Sequence, residues 1–200
     1  MRIGLLADIH GHVEHLRSAL DLLRRRHVDR FIVLGDVIYD AKNAAETVEL
    51  LAACGAVGVW GNHELGLCID PDDELRRMYT EPVIEFFRTL QPRMELEDLL
   101  FSHTTPSEDP ADPLAYYLGP RLTDDGALDA SFAQFPHRVM MTGHFHRWFA
   151  ATPAGQFDWD GRRPIELNPD MRYLLTVDAV MNRRAALLDT QRNLLTPLEF

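Results

Sequence analysis

An α/β fold built on a parallel sheet is what the first third of this 200-residue chain predicts. Three observations carry that reading. Short apolar runs alternate with amphipathic helical segments, which is the order of a parallel sheet with helices on its faces. Each of those runs ends in a carboxylate, an amide or an imidazole rather than in an ordinary turn. The composition, 46 % hydrophobic and 26 % charged, is that of a globular chain long enough to bury one substantial core.

Taken in order, "RIGLLAD" (2–8) reads as the first strand. "VEHLRSALDLLRRR" follows, with Val13, Leu16, Leu20 and Leu23 at helical spacing and charges between them. "RFIVLGD" (30–36) is β-branched and aromatic, and "NAAETVELLAAC" is a helix closed by Gly55. "AVGVWGN" is the third strand. Residues 72–90 read as a helix broken or kinked at Pro82. "MELEDLLFSH" resembles a hairpin turning at Glu97–Asp98. Four prolines between 104 and 125 (Pro106, Pro110, Pro113, Pro120) mark a loop excursion. Its Tyr116–Tyr117 pair would either pack the loop or stack on an aromatic ligand. "GALDASFAQF" is a helix and "HRVMMTGH" a strand. After Gly143 the pattern becomes strand and turn, an antiparallel finish. There is no repeat, low-complexity tract or linker, so residues 1–200 are expected to form a single domain.

Several function classes drop out. A net charge of −11 argues against non-specific binding to nucleic acid, although a small phosphate ester is not excluded. No stretch approaches the ~20 apolar residues of a membrane span. "MRIGLLADIHGH" is interrupted by Asp8 and His10 before any signal-peptide core is complete. Two cysteines make no disulfide framework or paired metal motif. A reducing cytoplasm is the expected compartment. Neither GxxxxGK[ST] nor GxSxG occurs.

The polar strand exits remain to be explained. They are Asp8 and His10, Asp36 behind Gly35, Asn62 and His63 behind Gly61, His103, and His144 and His146. Open α/β sheets place their ligand crevice at the carboxyl ends of strands. Asp8 and His10 are two apart on what reads as an extended segment, so their side chains are expected to point the same way, as are those of His144 and His146. Taken singly, Asp8 could instead cap the helix beginning near His12. Oxygen and imidazole donors of this kind suit Mn, Fe or Zn. Seven of them exceed what one tetrahedral ion needs, but fit two adjacent ions sharing a carboxylate.

At this point the chain resembles the calcineurin-like metallophosphoesterase superfamily, whose pattern is D-x-H, G-D, G-N-H-[DE], a lone His, and G-H-x-H. Here these are Asp8-Ile9-His10, Gly35-Asp36, Gly61-Asn62-His63-Glu64, His103 and Gly143-His144-Phe145-His146, in that order. The resemblance implies a four-layer α/β/β/α sandwich of two mixed sheets. It implies one divalent ion on Asp8, His10 and His146, another on Asn62, His103 and His144, and Asp36 bridging them. Mn²⁺ is the expected metal, with Fe, Zn, Ni or Co as alternatives. A water or hydroxide between the ions would attack phosphorus in line, and His63 would serve as general acid. Glu64 would orient His63 or a ligand, and Arg147 would either reach a substrate phosphate or form a strand salt bridge.

Relatives acting on phosphoproteins or dinucleoside polyphosphates carry an arginine soon after G-D, whereas Lys42 is the nearest cation here. The chain therefore looks like the small bacterial-type phosphodiesterase branch. It departs from that branch at "NPDM" (168–171), where N-P-G-S-like segments are usual. The expected substrate is a small phosphodiester, with a phosphomonoesterase, a non-catalytic binding scaffold and a nuclease as rival readings.

Overall fold

The computed structural model describes residues 1–200. Two six-stranded sheets face each other. In the first, β1 (Arg2–Leu6), β2 (Arg30–Leu34) and β3 (Val57–Val59) run parallel and in chain order from centre to edge. The second half of this sheet is antiparallel. It comprises β11 (Arg184–Asp189) against β1, then β12 (Leu194–Glu199) and β9 (Ile165–Glu166). The other sheet centres on three parallel strands, β5 (Leu99–Phe101), β6 (Val139–Thr142) and β10 (Tyr173–Thr176). Its antiparallel flanks are β4 (Met94–Leu96) on one side and β7 (Phe149–Thr152) with β8 (Gly155–Gln156) on the other.

Strand periodicity explains why there are four layers. Successive side chains point to opposite faces, and both faces of the central strands are apolar. Ile3, Leu5, Leu99, Phe101, Val139, Met141, Tyr173 and Leu175 meet between the sheets. On the outer face of the first sheet, Leu6 and Val33 pack under α1 (Val13–Arg25), α2 (Ala44–Ala53) and α5 (Glu81–Phe87) through Leu16, Leu20, Val48, Ile84 and Phe87. On the outer face of the second, Leu100, Met140 and Leu174 pack under Phe132 of α7 (Ala127–Gln134). The result is an α/β/β/α sandwich of two mixed sheets.

Two local expectations need correction, and one further helix is added. Residues 72–90 form two helices: α4 (Asp73–Met78), capped by the Asp72 carboxylate, and α5. The break lies at Tyr79–Thr80, and Pro82 sits in the first turn of α5, where its missing N–H costs nothing. The excursion at 104–125 holds a helix, α6 (Pro113–Leu118), which starts on an Asp112 cap with proline in its first turn. A short α3 (Leu65–Ile69) follows Glu64, burying Leu65 and Leu67.

Candidate metal centre

All the polar strand exits converge. Asp8, Asp36 and Asn62–His63 follow the parallel strands β1, β2 and β3, while His103 and His144–His146 follow β5 and β6 of the facing sheet. Backbone bonds fasten the exits together. The amides of Asp8, His10 and Gly11 donate to the carbonyls of Gly35, Asp36 and Val37, and Gly143 donates to His103. The two sheets are tied at this rim by the His144 amide, which donates to the buried Asp8 carboxylate at 2.9 Å.

Asp8, His10, Asp36, His144 and His146 share a feature that no residue type dictates. Each has positive φ, and they are five of the nine non-glycine residues that do. The expectation of an extended Asp8–His10 and His144–His146 is therefore wrong. The strands end at Leu6 and Thr142, and the side chains are aimed by left-handed turns. Such backbone costs roughly 1–3 kcal/mol per residue and concentrates at functional sites. Asp8 does not cap α1, whose N-cap is His12 without a side-chain bond.

The candidate ligand atoms form two groups that share Asp36. One consists of Asp8, His10, Asp36 and His146, the other of Asp36, His103 and His144, with the atoms of each within 4.8 Å of one another. Asn62 joins the second group, with Oδ1 at 3.3 Å from His103 Nε2. His10 Nε2 lies 3.3 Å from His146 Nε2, and His103 Nε2 lies 3.3 Å from His144 Nδ1. These are crowded donors, and for His103 and His144 neighbouring carbonyls fix which nitrogen bears the lone pair. His103 Nδ1–H donates to the Leu34 carbonyl at 2.6 Å, turning Nε2 inward. His144 Nε2–H donates to the Tyr116 carbonyl at 3.0 Å, turning Nδ1 inward. Asn62 Nδ2 donates to the Tyr117 hydroxyl at 3.1 Å, leaving its oxygen for the cluster. Orienting bonds of this kind are the usual support of metal-binding imidazoles.

The electrostatics agree. Burial pushes His10 down to about 4 and, with the neighbouring His103, takes His144 there too, so both are neutral at pH 7. Burial also raises Asp8. For Asp36 burial acts upward, but it is outweighed by His103, His63 and His10, and the carboxyl is held below the usual range. His103 is driven down by burial and more strongly up by Asp36, to about 9. A divalent cation among these lone pairs would take the place of that proton, and the donor set fits one.

Of the two alternatives for Glu64, the geometry favours support of the candidate ligands. Glu64 does not touch the His63 side chain. Fully buried, and raised to about 8 chiefly by that burial, it accepts from the Gly61 amide at 2.8 Å and from the Val37 amide at 3.1 Å. It thereby staples the β2 exit to the β3 exit and sets Asp36 beside Asn62. Glu64→Ala is expected to cost about 3 kcal/mol or more, because two buried amides lose their acceptor; urea unfolding checks this. Gly61 has a separate reason to be glycine, since a Cβ there would meet Asp36 Oδ1 at 2.2 Å.

His63 lies at the rim. Its Nε2 is 3.9 Å from Asp36 Oδ2, its amide donates to Asp36 Oδ1 at 3.1 Å, and its ring stands edge-on to His10 at 4.7 Å. Tyr39, 68 % exposed and missed in the sequence reading, lies 5.2 Å from the His63 ring. Together with Asp40, Lys42 and His146 these residues line a hollow of about 560 Å³. Arg147 lines a second hollow with His144, a member of the other donor group. Of the tyrosine pair, Tyr116 is buried with its hydroxyl donating to the Pro110 carbonyl, whereas Tyr117 is exposed.

A sandwich of two mixed sheets, with acid, amide and imidazole groups meeting at the strand exits, defines a metallophosphoesterase architecture. The chain belongs to the calcineurin-like phosphoesterase family, which matches residues 1–148. It is 24 % identical over 194 residues to an uncharacterised protein of Methanocaldococcus jannaschii, covering 89 % of this chain and 75 % of that one. Its fold is similar to that of a metallophosphoesterase from Sphaerobacter thermophilus, with a TM-score of 0.80 at 18 % identity, over 100 % of this chain and 88 % of the other. It is also similar to an archaeal phosphodiesterase, with a TM-score of 0.58 at 15 % identity over the whole of both chains. No helix is long and apolar enough to cross a membrane.

Proposed function

We propose that this chain is a dinuclear metal-dependent phosphodiesterase acting on small phosphodiesters as a single cytoplasmic domain spanning residues 1–200. The observation that carries the reading is the sharing of Asp36 between two clusters of inward-facing donors. Asp8, His10 and His146 would hold one cation, Asn62, His103 and His144 the other, and Asp36 both; Mn²⁺ is favoured. Two such cations supply Lewis-acid activation of water and of the phosphoryl oxygens.

The chain's own residues do the rest. His63, held at the rim by Asp36 and His10, donates a proton to the departing oxygen. With His63 in that role, the leaving group would lie in the Tyr39 hollow and the retained group on the His144 side. Arg147 faces that retained group. The diester preference is supported by hollows beside both donor groups, since a diester carries a substituent on each side of phosphorus.

The test compares bis-p-nitrophenyl phosphate with p-nitrophenyl phosphate on Mn²⁺-loaded protein. A kcat/KM about tenfold or more higher for the diester is expected, each lost set of substituent contacts being worth at least that much. A preference for the monoester would make this chain a phosphomonoesterase. No turnover of either ester across several metals would overturn the enzymatic reading.

A further inference from the structure

The two hollows beside the cluster differ in charge. The Tyr39 hollow holds Lys42 but also Asp40. The His144 hollow, about 360 Å³, is lined by Arg121 and Arg147 with no acidic residue among its walls. That is unexpected in a chain with a net charge of −11. Other arginines of this part of the fold are engaged: Arg138 with Asp98, Arg172 with the carbonyls of Phe132 and His137, and Arg184 with Glu199. Arg121 uses only its main chain, its amide donating to the Asp124 carboxylate and its carbonyl accepting from the Asp124 amide, and its guanidinium and that of Arg147 have no partner in the protein.

A guanidinium presents a planar fork of N–H donors that matches phosphate oxygens, and two of them suit a dianion. Tyr117, 68 % exposed, and Phe145 line the same space and bring two aromatic rings to it. The hollow is also fixed relative to the cluster. His144 lines it, and the Tyr117 hydroxyl accepts from Asn62.

We propose that this hollow is a subsite for a second phosphate on the retained half of the substrate, held by Arg121 and Arg147. The preferred substrate is then a phosphodiester that carries a further terminal phosphate, with an aromatic base or similar ring between Tyr117 and Phe145. This inference rests on the phosphodiesterase reading for the position of the scissile bond.

The test uses two esters that differ only in that group: thymidine 5′-(p-nitrophenyl phosphate) and the same compound bearing a 3′-phosphate. On Mn²⁺-loaded protein the 3′-phosphorylated ester is expected to show a kcat/KM about tenfold or more higher, as charge-assisted hydrogen bonds imply. Arg121→Ala and Arg147→Ala should each bring that ratio to within about twofold of unity. Arg192→Ala, in a different pocket beside Met1 and Arg2, should leave the ratio unchanged. A second readout is calorimetric binding of thymidine 3′,5′-bisphosphate, expected to weaken about tenfold in either of the first two variants. Hydrolysis of both esters with a ratio near unity, or a ratio indifferent to both arginines, overturns the subsite and leaves the phosphodiesterase reading standing. Arginine-dependent binding of the bisphosphate without turnover of either ester supports the subsite and overturns that reading instead.

Discussion

Asp36→Asn is expected to abolish binding of both proposed metal ions and to lower kcat/KM by at least about 10³-fold. The expectation follows from position. Asp36 Oδ1 lies 3.3 Å from His103 Nε2 and Oδ2 lies 3.6 Å from His10 Nε2, one nitrogen from each cluster. No other side chain belongs to both groups. Asparagine keeps the volume and one carbonyl oxygen, which can still accept from the His63 amide. The negative charge is lost, however, and with it the only carboxylate of the His103–His144 cluster. That cluster would then present neutral donors alone, a poor site for a hard divalent ion. Metal analysis after gel filtration and a thermal melt separate loss of ions from loss of fold. A variant that keeps about two ions per chain would refute the bridging role.

His63→Ala is expected to keep both ions and lose rate in a manner that depends on the leaving group. The imidazole stands at the rim, 3.9 Å from Asp36, and belongs to neither ligand group. General acids contribute roughly 10²–10⁴-fold where the departing oxygen needs a proton. An alkyl leaving group should therefore suffer a loss in that range. A p-nitrophenolate, which departs well unaided, should suffer much less. Equal losses for both would assign His63 to binding rather than proton donation. An emptied metal site would place it among the ligands.

Much of this was legible in the sequence, and the reasons are physical. The apolar runs at 2–8, 30–36 and 56–62 are strands because buried parallel sheets need both faces apolar, and their order is that of the sheet. The convergence of the candidate donors was legible because each follows such a run, so chain position stands in for spatial position. What failed was local backbone conformation. Aspartate and histidine adopt positive φ more often than most residues but still only occasionally, and at Asp8 and His10 the turn is held by main-chain hydrogen bonds to the neighbouring strand exit. The break at Tyr79–Thr80 was misplaced at Pro82 because proline both ends and begins helices. The stapling role of Glu64 was hidden for a different reason: its partners, Val37 and Gly61, are main-chain amides, and no residue type announces them.

The same distinction separates what the cluster needs from what surrounds it. The carbonyls of Leu34 and Tyr116 fix two imidazoles, yet any residue could supply them. Tyr116 does so from α6, inside the proline-rich excursion, which ties that segment to the centre as a wall and not as a loose loop.

The proposed centre puts two cations on either side of the Asp36 carboxylate. Anomalous diffraction from Mn²⁺-loaded crystals measures this directly. Two peaks about 3.5–4 Å apart should flank Asp36, one within bonding reach of Asp8, His10 and His146, the other of Asn62, His103 and His144. A single peak remote from that carboxylate, or none at saturating Mn²⁺, would contradict the account.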